Sequence, residues 1–183
     1  MSTNLMTEFL QKLKLVDYFT AELEIEQAEF AGKLQKSVDK ADIGMFSGIA
    51  DIFSASKNQF KGSVDGAGFR LKRKRKLFDT TRSLALAEGT FSQQDQLLVI
   101  ATKVNGFSGM MIPYFIFLLI FYCLFVGGFF LMASSTGRQV ALMLPFVALH
   151  AAIMFGIPYF MMRRSVKQMK ANLVREFDDA SRK

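Results

Sequence analysis

His150 is the first residue whose chemistry stands out. It is the one histidine in the chain, and it lies in an otherwise uncharged apolar run from Val140 to Met162. An ionisable side chain at the middle of such a run invites a functional reading, because polar groups are costly in hydrocarbon. A first apolar run, Met110 to Met132, precedes it. Antiparallel pairing of the two runs sets Tyr122 at the depth of His150, with the one cysteine, Cys123, beside it. A Tyr122–His150 hydrogen bond accounts for both residues without proton transport, and in a membrane it is worth about 0.6 to 2 kcal/mol. A relay would want further acids, and the runs contain none. One cysteine builds neither a disulfide nor a thiolate metal cluster within one chain. No nucleophile elbow, metal motif or recognisable acid pair is present, so no metal, no cofactor and no enzymatic activity are expected.

The second run also carries small or compact residues at helical spacing: Ala141, Pro145, Ala148, Ala152 and Gly156. Such stripes let helix backbones approach closely. His150 lies about 200° around the helix from Ala148 and Ala152 by the 3.6-residue period. Gly127 and Gly128 of the first run match the depth of Pro145 and Leu144. Either face can therefore close a hairpin, which leaves the other for a neighbouring chain and predicts a homo-oligomer.

Outside the apolar runs, the strongest feature is Lys72-Arg73-Lys74-Arg75-Lys76. One reading is a solvated helix start. The other is a contact with anionic lipid or an acidic cytoplasmic partner, because five consecutive cations repel one another and their clustering asks for a reason. The glycine-rich stretch Gly62 to Gly68 lacks the Gly-Lys-Ser/Thr ending of a phosphate loop and reads as a linker.

These residues need elements to position them. Each apolar run makes roughly 35 Å of helix at about 1.5 Å per residue, enough to span a hydrocarbon core of about 30 Å with some tilt. The short Ala133 to Gln139 connection makes them a transmembrane hairpin. Its turn carries only Arg138, whereas Arg163, Arg164, Lys167 and Lys170 follow the second span closely. The bias toward positive charge on the cytoplasmic side puts both termini in the cytoplasm. Met1 to Gln11 has no apolar signal-peptide core. The net charge of +7 is weighted toward residues beside the membrane, where each cation gains about 1 kcal/mol from anionic head groups. This favours lipid over nucleic acid as a partner.

Three regions are expected: a cytoplasmic helical domain over 1–109, the hairpin over 110–162 (spans 110–132 and 140–162), and a basic cytoplasmic tail over 163–183. The domain contains no proline, and its apolar spacing fits helices. Leu5, Phe9, Leu13 and Val16 fit the first. Leu23, Phe30, Leu34 and Val38 fit the second, and Phe46, Ile49, Ala50 and Phe53 the third. A fourth covers about Leu71 to Glu88. The fifth follows Ser92, with Asp95 completing a capping box ahead of Leu97, Leu98, Ile100 and Ala101. The predicted fold class is all-α: a small cytoplasmic helical bundle with a transmembrane hairpin. Its predicted core includes Phe30, Leu34, Phe46, Phe53, Leu84, Leu98 and Ala101.

Several stretches, in order, resemble the cytoplasmic domain of the type II secretion F family, the inner-membrane platform proteins of type II secretion systems and type IV pili. Glu26 to Leu34 looks like its acidic-aromatic opening helix, and Asp42 to Ala50 like the turn and second helix. Ser83 to Phe91 is similar to its Ser-Leu-x-x-Ala-Leu stretch. Leu97 to Ile100 then runs into Asn105-Gly106, where the family has Gly-Glu. Ile112-Pro113-Tyr114 opens a proline-led span. The chain carries this domain once, where full-length members carry it twice. The resemblance implies a non-enzymatic inner-membrane platform or scaffold component of a secretion, pilus or conjugation machine. It also implies an assembly ATPase and other machine subunits as partners, and a bacterial inner-membrane location. The rival readings are a self-associating membrane protein, such as a holin or exclusion protein, and an embedded transporter or enzyme subunit using His150.

Overall fold

The structure is a computed structural model that describes residues 2–41, 43, 58–74, 84–107, 109, 111–133 and 138–182. Its N-terminal part is mixed α/β, which overturns the all-α expectation. The described elements are α1 (Ser2–Lys12), β1 (Val16–Leu23), α2 (Gln27–Lys36), β2 (Val38–Lys40), β3 (Phe60–Val64), β4 (Gly68–Arg73), β5 (Leu86–Gln94), β6 (Leu97–Asn105), α3 (Met111–Ala133) and α4 (Arg138–Arg182). The six strands form one sheet in the order β1-β6-β5-β4-β3-β2. All neighbours are antiparallel except β2 and β3.

Of the five predicted helices, α2 keeps the apolar face of the second, with Phe30 and Leu34 buried. The first ends at Lys12, before Val16 opens β1. The third lies outside the described residues. The fourth is replaced by β4 and the start of β5 at its two ends, and the fifth by β6. The physical reason is clearest in β6. Leu98, Ile100, Thr102 and Val104 alternate onto the buried face, and Ala101 points the other way. A short apolar run fits both periods, and the β-branched Val99, Ile100, Thr102 and Val104 favour the pleated one. Ser92 and Asp95 do not cap a helix. Gln94 pairs with Leu97, so Asp95-Gln96 is a two-residue hairpin loop, with Asp95 at φ 54°. That left-handed conformation is one that Asp tolerates better than most residues.

The chain divides into two compact units, residues 1–108 with 162–183, and residues 109–161. In the first, one face of the sheet is covered by α2 and by the last part of α4. Val166, Met169, Leu173, Phe177 and Ala180 of α4 join the strand residues in a single core. Their three- and four-residue spacing keeps them on one side of the helix. Phe177 is the centre of an aromatic group. Its ring lies 5.7 Å from Phe30, 5.6 Å from Phe69 and 6.4 Å from Phe19, distances at which aromatic pairs each add about 0.5 to 1.5 kcal/mol beyond burial. The segment read as a basic tail is therefore part of the domain's hydrophobic core, and its cations lie around that stripe. Lys170 bonds Asp17 of β1 at 2.8 Å.

Two glycines make the packing possible. At Gly89 of β5, an added Cβ would lie 2.3 Å from the ring of its cross-strand neighbour Phe69, so the ring covers bare backbone. At Gly106, an added Cβ would meet Val166 Cγ2 at 2.5 Å and the Met162 carbonyl at 2.9 Å. This is where α4 passes the end of β6.

The second unit holds α3 and the apolar part of α4. Both helices are long and apolar enough to cross a membrane by length and composition.

Replacing Phe177 by Ala should destabilise the first unit by about 3–5 kcal/mol, the range for a fully buried aromatic. Phe177 is 1% exposed. Chemical denaturation of the detergent-solubilised chain, followed by near-UV circular dichroism, measures it. A midpoint unchanged from the parent would show that the α4 segment does not hold the core.

Candidate functional site

The face of the sheet away from α2 and α4 is built by strand alternation. On β1 it receives Tyr18 and Thr20, on β6 Ala101 and Lys103, and on β5 Glu88 and Thr90. In register, Ser63, Arg70, Glu88, Lys103 and Tyr18 form one row across five strands. Arg70 Nε lies 3.0 Å from Glu88 Oε1, and Lys103 Nζ sits 5.9 Å from the centre of the Tyr18 ring. The next row, Thr20, Ala101 and Thr90, is of small residues. Against the long side chains of the first row it leaves an open groove of 630 Å³ over β1, β6 and β5. The pair Arg70–Glu88 is solvent-exposed and adds at most about 1 kcal/mol to stability. The same charges, with the amphipathic Tyr18 ring, offer a contact surface of mixed sign beside an uncharged floor. Sequence reasoning missed this site because it read Glu88 and Ala101 as helical and left Tyr18, Thr20, Arg70 and Thr90 between helices. The alternation Tyr18–Thr20 and Glu88–Thr90 is the signal that points to it.

The basic run is not the start of a helix. Lys72 and Arg73 end β4, and strand geometry sends them to opposite faces. Lys74 is buried and its Nζ is paired with Asp39 Oδ2. Asp39 Oδ1 accepts a bond from Asn58 Nδ2 at 2.7 Å, so its carboxylate ties β2 to the ends of β3 and β4. Arg75 and Lys76 lie outside the described residues. At least one cation of the run is thus a structural counter-charge.

In the second unit, Tyr122 Oη lies 2.6 Å from His150 Nδ1. The Phe115 and Phe155 rings are stacked at 6.0 Å, and Tyr114 Oη donates to the Met154 carbonyl at 3.0 Å. Tyr114, Phe115, Leu118 and Tyr122 repeat at three- and four-residue intervals, the spacing of a packing seam. The His150 side of the second apolar helix is the one joined to the first. Ala148 and Ala152 are exposed, and a Cβ added at Gly127, Gly128 or Gly156 would meet open space. Ala148 and Ala152 of the small-residue stripe take no part in closing the hairpin.

Ser165 is a residue that sequence reasoning passed over. It is buried, and its Oγ accepts the backbone N–H groups of Leu84 and Ala85 at 2.8 and 2.9 Å. It thereby satisfies the approach to β5 from α4. A lone serine in a basic helix gives no such signal in sequence.

The Lys74–Asp39 pair makes the basic run divisible by experiment. Lys74→Ala should cost about 1–3 kcal/mol in unfolding free energy. This is less than the loss on breaking a fully buried pair, because Asp39 keeps some contact with water. Urea titration of the detergent-solubilised chain reports it, and a cost below a few tenths of a kcal/mol would return Lys74 to the solvated surface.

With this geometry in view, no family model, no curated protein and no solved structure matches the chain.

Proposed function

We propose that the chain is a two-span membrane protein that carries a non-enzymatic scaffold domain on the cytoplasmic side of a bacterial inner membrane, and that the groove over β1, β6 and β5 receives a protein partner. The observation that supports the topology is the burial of Phe177 and its helix neighbours in the core of a domain begun by residues 15–105. If the helices cross the membrane, the chain must cross an even number of times for that core to form. Both termini then share one side, and the basic residues from Arg163 to Lys170 put that side in the cytoplasm. The one His and one Cys both sit in the apolar helices, which favours a binding role for the domain over catalysis.

The narrower reading, a platform subunit of a secretion, pilus or conjugation machine served by an assembly ATPase, rested on a resemblance to a helical domain. Here Leu86 to Phe91 and Leu97 to Ile100 are strands, so that resemblance lends the narrower reading no structural support. A second reading, a self-associating membrane protein, is favoured by Ala148 and Ala152, which are exposed on the helix side that does not close the hairpin.

Two experiments test these readings. Single cysteines at Ser135 and Ser181, in a Cys123→Ala background, are treated in intact cells with a membrane-impermeant thiol reagent. Ser135→Cys should be labelled and Ser181→Cys protected; labelling of both, or the reverse pattern, contradicts the topology. For the groove, Ala101→Arg fills its floor without touching the core. Partner recovery from detergent-solubilised membranes should fall at least about tenfold, equivalent to roughly 1.4 kcal/mol of binding, with the melting profile preserved. Undiminished recovery means that partners bind elsewhere.

A further inference from the structure

Helix α1 presents an unusual surface for the first helix of a domain. Leu5, Met6, Phe9, Leu10 and Leu13 fall within an arc of about 140° at the helical period of roughly 100° per residue. An apolar arc of that width ordinarily faces a core. Here Leu5 is 70%, Met6 55% and Phe9 61% exposed, and only Leu10 and Leu13, toward the end of α1 and just beyond it, are partly covered. Glu8 and Gln11 lie off this arc and are also exposed.

The end of α1 is fixed within its own unit. The helix ends in a left-handed turn at Lys14, φ 57°, with Leu15 N–H bonded to the Leu10 carbonyl at 2.9 Å and Lys14 N–H to the Gln11 carbonyl at 2.9 Å. This is a two-bond helix stop that fixes the exit direction. The next carbonyl, Leu15, accepts the Gly106 N–H at 2.8 Å. Gly106 in turn sits against the Met162 carbonyl. The end of α1 is therefore pinned at the corner of the domain where the chain leaves for the apolar hairpin and returns from it. Lys12 and Lys14 stand at that same corner, and both are exposed.

We propose that α1 is an in-plane membrane anchor. Leu5, Met6 and Phe9 lie in the head-group and upper acyl region of the bilayer that holds the hairpin, while Lys12 and Lys14 reach anionic head groups. The inference rests on the membrane-spanning reading, since the same bilayer is the proposed occupant. An amphipathic helix gains membrane affinity from its buried apolar area and from attraction to anionic lipid, and lysine stems extend so that their charge stays at the interface. Carried on the same chain as the two spans, α1 need not capture a membrane from solution. It makes a third contact that limits how freely the domain swings about its two connections.

The test uses the full chain, with Cys123→Ala, reconstituted in phosphatidylcholine vesicles containing phosphatidylglycerol. A fluorophore is placed singly at Met6→Cys, at Glu8→Cys, or at Leu119→Cys in α3. Quenching is compared between nitroxide lipids labelled at the head group, nitroxide lipids labelled deep in the chain, and aqueous iodide. Met6 should be quenched by the shallow nitroxide, Glu8 by iodide and Leu119 by the deep nitroxide. Leu5→Ser with Phe9→Ser should abolish the shallow quenching at Met6. A Met6 probe quenched only by iodide, with Leu119 still deep, overturns the α1 anchor and leaves the spanning reading standing. A Met6 probe shielded from every quencher means that protein covers the arc, which also overturns the anchor. A Leu119 probe quenched by iodide overturns the spanning reading and the anchor with it.

Discussion

The fold depends on one return: the C-terminal part of α4 must come back to the sheet built by the first part of the chain. Without it, Phe19, Phe30 and Phe69 lose the Phe177 ring they surround. The N–H groups of Leu84 and Ala85 lose the Ser165 oxygen. Fully burying a Val, Leu, Met or Phe side chain gains about 1.5–3 kcal/mol, and Val166, Met169, Leu173 and Phe177 all leave the core. These losses together rival the whole stability of a small domain, about 5–15 kcal/mol. The domain is thus not encoded by residues 1–108 alone. It is a split domain with an apolar hairpin inserted before its last segment, the C-terminal part of α4, and the insertion constrains how the hairpin can be threaded.

The same return has a cost that the hairpin offsets. Asp17 and Lys170 meet across 153 positions of chain. Closing a flexible loop of that length costs on the order of 4 kcal/mol beyond the constant term. Once two antiparallel apolar helices have formed, their outer ends are brought back to the same level, and the effective loop between the domain's two pieces is much shorter. In the proposed topology, insertion of the hairpin prepares docking of the final helix, and docking in turn holds the hairpin's ends together. Gly106 is the point where this coupling is tightest, because a side chain there would strike both Val166 and the Met162 backbone.

Legibility followed the length of the pattern. The two apolar helices could be read because each repeats one signal, lack of charge, over many residues. Helix α2 was legible in its middle, where Phe30 and Leu34 share a face, but Leu23 and Val38 belong to the flanking strands. The sheet was hidden by short runs that fit two periods. Leu97, Leu98, Ile100 and Ala101 make a plausible helical face, and only the continuation through Thr102 and Val104 favours alternation. The absence of proline says nothing against strands, which also exclude it from their interiors. In the C-terminal segment, seven cations drew the reading toward a basic tail, while Val166, Met169, Leu173 and Phe177 carried the structural message. The alternations Tyr18–Thr20 and Glu88–Thr90 mark outward strand faces, but the groove itself exists only once Thr20, Thr90 and Ala101 are aligned by a register that three separate strands share.

The hairpin shows how a weak polar bond and a strong covalent arrangement divide the work. The Tyr122–His150 contact is short, yet in the proposed topology a hydrogen bond between membrane helices adds only about 0.6 to 2 kcal/mol, too little to define a helix pair by itself. Its value lies in choosing a face. Either the His150 side or the small-residue side of the second apolar helix could meet the first, and the two lie on nearly opposite sides. The polar bond, with the stacked Phe115 and Phe155 rings, selects the first option. Persistence of the pair then comes from the domain, where the chain leaves just past Gly106 and re-enters at Met162 beside it. Because pairing is secured from outside, the hairpin does not need Ala148 and Ala152 for internal packing. Ala148 and Ala152 can face outward at little cost to the chain's own fold, and any constraint on their size must come from what lies outside it.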